Sequence, residues 1–151
     1  SPTFMTVAMG KMSKSAHEAI DLGFGKTGDT ILFNARELLL VALKEARLLA
    51  DAGYVPPVPA RGVPVAGRAG IASMEMTLVN MREGGMISAH DYRVSRAVAV
   101  ALCGGEIEYG SLVDEAWLLA VERRQFLELL KTPETQARIK HMLDTGKPLR
   151  N

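Results

Sequence analysis

Gly23-Phe24-Gly25-Lys26-Thr27-Gly28 spells G-x-G-x-x-G, a spacing that lets backbone amides approach a dinucleotide pyrophosphate. That chemistry needs a strand before the glycines and a helix after them, so that the phosphate meets a helix N-terminus. Here the order is reversed. The glycines follow a helical stretch and precede an extended one, so they read as a helix end and a surface turn. Gly25-Lys26-Thr27 also matches the end of a phosphate-binding P-loop, but Ile20 stands where that motif needs its first glycine. The histidines His17, His90 and His141 pair neither with one another nor with a cysteine at metal-ligand spacing. A zinc site needs three or four converging ligands, so all three read as solvated side chains. Cys103, the single cysteine, follows an apolar helical face and precedes Gly104-Gly105. The negative end of a helix opposes a thiolate, which makes it a buried structural thiol rather than a nucleophile. Glu122-Arg123-Arg124 can grip a phosphate or carboxylate as a fork. The preferred reading is a solvated helix face, with ion pairs to Glu128 at four-residue spacing. Met74, Met76, Met81 and Met86 suit either a soft binding surface or a methionine-rich core. No catalytic, cofactor-binding or metal-ligating residue is assigned on these grounds.

The elements that would position such residues are helices separated by Gly and Pro. Thr3 to Met12 makes one or two helical turns. Phe4, Met5, Val7, Ala8 and Met9 make it apolar. Ser15-Ala16-His17-Glu18 is a capping box opening a brief helix that stops at Gly23. Thr30 to Phe33 is a short strand or an extended lead-in. Asn34 then caps the strongest helix, with Leu38, Leu39, Val41, Leu43, Leu48 and Leu49 on a broad apolar face and Gly53 at its end. Pro56, Pro57, Pro59 and Pro64 fall within nine residues, so Tyr54 to Gly70 is expected to hold no regular element. Ile71, Met74, Leu78 and Met81 mark the next helix, which Gly84-Gly85 breaks. Ser88-Ala89-His90-Asp91 opens another, with Val94, Ala97, Val98, Ala101 and Leu102 on its buried face. Ser111 to Asp114 caps a long helix through Trp117, Leu118, Val121, Phe126, Leu129 and Leu130. Thr132-Pro133 starts the last helix, with Ile139 and Met142 or Leu143 buried, and Gly146 stops it. The expected fold class is mainly α: five to seven helices with a Pro-rich extended linker.

Composition narrows the function classes. A chain of 151 residues, 48% hydrophobic and 23% charged, can bury a sizeable core as one ordinary domain. A net charge of +1 removes the main reason to expect nucleic acid or an anionic membrane as partner. No apolar run approaches the ~18 residues of a membrane span; Leu38 to Leu43, the densest, soon meets Lys44 and Glu45. The stretch Pro2 to Met9 has no basic flank and does not read as a secretory signal. A lone cysteine excludes an internal disulfide framework and suits a reducing, cytoplasmic compartment. Ser1-Pro2, with no initiator Met, reads as a cut inside a longer protein or a remnant of cloning.

Ser15-Ala16-His17-Glu18-Ala19-Ile20-Asp21-Leu22-Gly23-Phe24 resembles the S-A-x-E-A-x-x-L-G-hydrophobic segment of the crotonase (enoyl-CoA hydratase/isomerase) superfamily, and Asn34 to Ala52 resembles the helix that follows it there. The later half resembles the C-terminal end of multifunctional bacterial 3-hydroxyacyl-CoA dehydrogenases that carry a crotonase-like domain. The matching pieces are Leu102-Cys103-Gly104-Gly105, Glu122-Arg123 with Phe126-Leu127, and the run from Thr135-Gln136 through His141-Met142-Leu143 to Thr145-Gly146-Lys147-Pro148-Leu149-Arg150-Asn151. The resemblance implies that residues 1–53 are terminal helices of a crotonase-like domain, 54–70 a linker and 71–151 a C-terminal helical region. It implies a parent enzyme of fatty-acid β-oxidation that hydrates a 2-enoyl-CoA and oxidises a 3-hydroxyacyl-CoA with NAD. The family's oxyanion-hole glycines, acid/base carboxylates and NAD fingerprint lie upstream of the matched segment, so no catalytic or cofactor residue carries over. The expected partners are the rest of the parent enzyme and further copies in a homo-oligomer; because late helices of crotonase-like domains make oligomer contacts, the resemblance implies that Phe4, Met5 and Met9 are surfaces that have lost their partner. Contact with acyl-CoA would use Arg36, Lys44, Arg123 or Arg124 against the phosphates. The alternative is a free-standing helical interaction module.

Overall fold

The computed structural model describes residues 2–151. Its elements in chain order are α1 (Pro2–Ala8), α2 (Ala16–Asp21), a single 3-10 turn (Ala35–Glu37), α3 (Leu38–Asp51), β1 (Val63–Pro64), α4 (Gly67–Glu83), α5 (Ala89–Leu102), β2 (Leu112–Val113), α6 (Glu115–Leu130) and α7 (Pro133–Thr145). The mainly helical expectation holds. The chain groups into two compact units: residues up to Lys11 with Pro59–Asn151, and Met12–Val58.

In the larger unit α5 is the central helix, packed by α1, α4 and α6. Ser88 begins it with a complete capping box: Ser88 Oγ accepts from Asp91 N at 3.0 Å, and Ser88 N donates to Asp91 Oδ2 at 3.2 Å. The stripe Ile71, Met74, Leu78 and Met81 faces inward on α4 as its spacing predicts. Leu78 is wholly buried against Phe4, Ile87 and Ala99. A second cluster joins Ile71, Val100, Cys103 and Val121. Each buried Val, Leu, Ile or Phe side chain among them contributes roughly 1.5–3 kcal/mol by leaving water.

Several expectations are corrected here. Phe4 is not an abandoned surface: it is 2% exposed and sits in the core, with Met5 and Met9 packed beside it. A seven-residue helix has too few turns to show which way it faces; only tertiary packing decides. The buried face of α5 is rotated from the expected one. Ser95, Ala97, Ala99 and Val100 are buried on it, whereas Val94, Val98 and Ala101 are half-buried and Leu102 is exposed. On α6 only Val121 is buried, and on α7 none of Ile139, Met142 and Leu143 is. Ser111 does not cap α6. Asp114 does, its Oδ1 accepting from Trp117 N at 2.8 Å, while Ser111 Oγ bonds the Glu108 carbonyl. The Pro-rich stretch is not wholly irregular. Val63–Pro64 pairs antiparallel with Leu112–Val113, and α4 begins at Gly67. A ribbon of two short strands is all edge, where proline's missing N–H costs no ladder bond. Gly104, at φ +77°, lets this ribbon close on the end of α5, since a Cβ there would sit 2.5 Å from Val65 Cγ1.

The smaller unit, Met12–Val58, has no buried residue. Ser15 Oγ caps α2 by accepting from Glu18 N at 3.1 Å, but the Glu18 carboxylate reaches back to Lys14 N rather than to Ser15. Thr30–Phe33 forms no strand and leads into the 3-10 turn, which Asn34 caps by accepting from Arg36 N. On α3, Leu38, Leu39, Leu40, Leu43, Leu48 and Leu49 are each more than half exposed. Gly53, at φ +73°, follows α3 in the left-handed conformation that its position as a helix stop predicts.

Candidate functional site

A polar cluster of the larger unit lies where α5 meets α7. Asp91, in the first turn of α5, accepts from Arg138 Nη2 on α7 at 2.8 Å as well as from Ser88 N. Both ends of that ion pair are largely shielded, with side chains 21% and 16% exposed. Arg138 also holds residue 151: its Nε donates to Asn151 Oδ1 at 2.8 Å and its Nη2 to the Asn151 backbone oxygen at 3.1 Å. Ser88 Oγ donates to the same oxygen at 2.7 Å. One helical turn away, His90 Nε2 lies 3.0 Å from Thr135 Oγ1.

The electrostatics follow from these contacts. Burial pushes the Asp91 carboxyl up, but the Ser88 amide and the Arg138 guanidinium together outweigh it and hold the group below its ordinary range. Burial, reinforced by the Arg138 charge, holds the His90 imidazolium below its usual value. A cavity of about 280 Å³ adjoins the cluster, walled by Met9, Ile87, Val94, Met142 and Leu149. Chemically the arrangement is a fastener. Every polar group named has its partner within the chain, and no buried polar side-chain atom among the described residues lacks one. A larger apolar groove, about 630 Å³, lies between α5 and α6.

The candidates from sequence are scattered. The glycines from Gly23 to Gly28 follow α2 with positive φ at Gly23 and Gly28, and no helix starts at them, so the reversed polarity stands. Among the described residues no three His, Cys, Asp or Glu side chains gather at metal-binding distance. His17 is exposed and His141 half-buried. His90 departs from the solvated expectation, being 7% exposed because Thr135 satisfies its ring nitrogen. Cys103 is buried as expected, and burial raises its thiol further from reactivity. Arg123 and Arg124 are exposed, but Glu128 pairs with Lys131 rather than with Arg124. Arg36 and Lys44 are exposed in the smaller unit. Met74 and Met81 pack on the core, whereas Met76 and Met86 stand in solvent. Sequence reasoning misses both contacts, since nothing in the spacing marks Arg138 as a partner of the Ser88–Asp91 cap or Thr135 as a partner of His90.

Similarity to known proteins supplies what this geometry lacks. The chain resembles part of a 3-hydroxyacyl-CoA dehydrogenase. It is 42% identical over 149 residues to a Bacillus subtilis (strain 168) protein described as a probable 3-hydroxyacyl-CoA dehydrogenase. The aligned stretch is 99% of this chain but 19% of the relative, so the chain spans about a fifth of that protein's length. No family model and no solved structure matches the chain. The similarity supports the expected dehydrogenase relationship and does not speak for a crotonase-like domain.

Proposed function

We propose that this chain is a helical portion of a longer fatty-acid β-oxidation enzyme of the 3-hydroxyacyl-CoA dehydrogenase type, structural in role and inactive by itself. The enzyme type rests on the similarity to the Bacillus protein; the observation that carries the structural role is the smaller unit: a 14-residue helix with six leucines exposed, in a segment with no buried residue. Exposed apolar surface on that scale supports a contact with other polypeptide. The proposed contact is with the rest of the parent enzyme and, in a homo-oligomer, with further copies. The segment from Ser15 to Phe24 would then finish a crotonase-like domain, with NAD and acyl-CoA held by residues elsewhere in the parent, which works in the cytoplasm. The saturated cluster around Arg138 fits this role, because it fastens helices and offers no open position to a reacting atom.

The test is an assay of the purified 151-residue chain with 3-hydroxyacyl-CoA plus NAD and with 2-enoyl-CoA, alongside sedimentation over a range of concentrations. Neither substrate should turn over, and the chain should self-associate as its concentration rises. Catalysis without added polypeptide, or a monomer at every concentration, refutes the proposal.

A further inference from the structure

We infer that the groove between α5 and α6 is a seat for one amphipathic helix of another polypeptide segment, carrying leucine-like side chains on one face and Lys or Arg seven residues apart beside them. One stripe of α6 forms a wall: Glu115, Leu118, Leu119, Glu122, Gln125 and Phe126, at i, i+3, i+4, i+7, i+10 and i+11. The stripe runs roughly 16 Å, the length of three turns of a guest helix. The floor comes from α5, where Ala97 and Ala101 are small enough for another backbone to approach closely, and Leu102 closes one side. Helix-in-groove recognition uses this arrangement, with anchors at helical spacing laid along an apolar trough.

The groove is built to be covered. Phe126 is 55% exposed, Leu119 57% and Leu102 46%, although each belongs to a helix that packs into the core on another side. The α5 residues lining it belong to the very face that periodicity marks for burial. Its charges say what covers it. Glu115 and Glu122 are the only ionisable groups in its lining, and neither has an ion-pair partner among the described residues. They stand seven residues apart on α6. Two free carboxylates with no cation repel the phosphates of an acyl-CoA and attract a cationic flank. The chain as a whole carries only +1, so attraction of a basic peptide must be local to such a place. This inference does not rest on the dehydrogenase reading.

The probe is a fluorescein-labelled 18-residue model helix of leucine, alanine and lysine, with leucines at positions i, i+3, i+4 and i+7 and lysines flanking them at i+1 and i+8. It is titrated with the full chain by anisotropy, together with a scrambled peptide and one with Glu replacing every Lys. Micromolar binding of the lysine helix is expected, at least tenfold tighter than either comparison peptide. Glu122→Lys, at an exposed mid-helix position, should weaken it at least tenfold. Ala101→Leu, which fills the floor without changing charge, should do the same while the circular dichroism spectrum is retained. Equal binding of the scrambled peptide, or an affinity within twofold of wild type in both variants, overturns the inference. So does displacement of the lysine helix by palmitoyl-CoA below its micelle concentration, which would make the groove an acyl site. An apparent affinity that falls as chain concentration rises would make it a contact between copies and overturns it equally.

Discussion

Phe4→Ala measures how much the larger unit depends on a helix of only seven residues. The ring is 2% exposed and packs on Leu78, Ile87 and Ala99. Truncation removes on the order of 100 Å² of buried apolar surface, worth about 2.5 kcal/mol at about 25 cal/mol per Å², and an unrelaxed cavity raises the loss to roughly 3–5 kcal/mol. The upper end is not expected. Helix α1 is too short to persist alone, so it can peel away instead of spanning a cavity, and the loss should settle at roughly 3 kcal/mol. Peeling has its own signature. Met9, Gly10 and Lys11 donate their amides to the carbonyls of Met5, Val7 and Thr6, so these three should exchange with solvent much faster in the variant while the α4 amides stay protected. Urea titration gives the loss, and hydrogen exchange gives its location. Val7→Ala on the same helix is the control: Val7 is 41% exposed, and its change should stay within about 0.5 kcal/mol. Equal losses in the two variants, or an unchanged midpoint in Phe4→Ala, would refute the placement of Phe4 in the core.

Other consequences can be checked in parallel. Because the folded chain holds His90 below its ordinary value of 6.5, the unfolded chain takes up the proton first. Stability is therefore full above that value and declines as the pH falls through it, and His90→Gln should flatten the difference in thermal midpoint between about pH 7.5 and about pH 5.5. A wild-type midpoint equal at the two values, or a variant that keeps the full wild-type drop, would refute the sign. Gly104→Ala combines a left-handed backbone with overlap on Val65 and should cost at least about 2 kcal/mol in urea, whereas a variant as stable as wild type would refute the close approach. Leu39→Glu with Leu43→Glu, one turn apart on the open face of α3, should reduce self-association in sedimentation and leave the urea midpoint of the larger unit unchanged; undiminished association would refute the role given to that face.

Local signals were legible wherever one residue type does one job. Ser88 with Asp91, Thr132 with Pro133, and Gly53 and Gly146 mark helix ends through hydrogen bonds or backbone conformations that few other residues provide. The α4 stripe was legible because seventeen residues give periodicity room to speak. What escaped depends on partners distant in sequence. The two-residue pairing of Val63–Pro64 with Leu112–Val113 has no alternation to detect. His90 looks solvated until Thr135, forty-five residues later, is brought beside it. Ser111 and Asp114 both resemble caps, and the strand at Leu112–Val113 decides between them. The attachment of Arg138 to the Ser88–Asp91 cap was not legible, since it joins an N-terminal cap on one helix to the middle of another.

Cys103 turns its isolation into a measuring device. Its sulfur lies where α4, α5 and α6 converge, 1% exposed and 4.0 Å from the Met74 sulfur. An alkylating reagent can reach it only when that junction parts, so the labelling rate under native conditions counts spontaneous openings of the molecule's centre with no engineered tag. Anything that stiffens the junction, a bound segment included, would be heard as a slower clock.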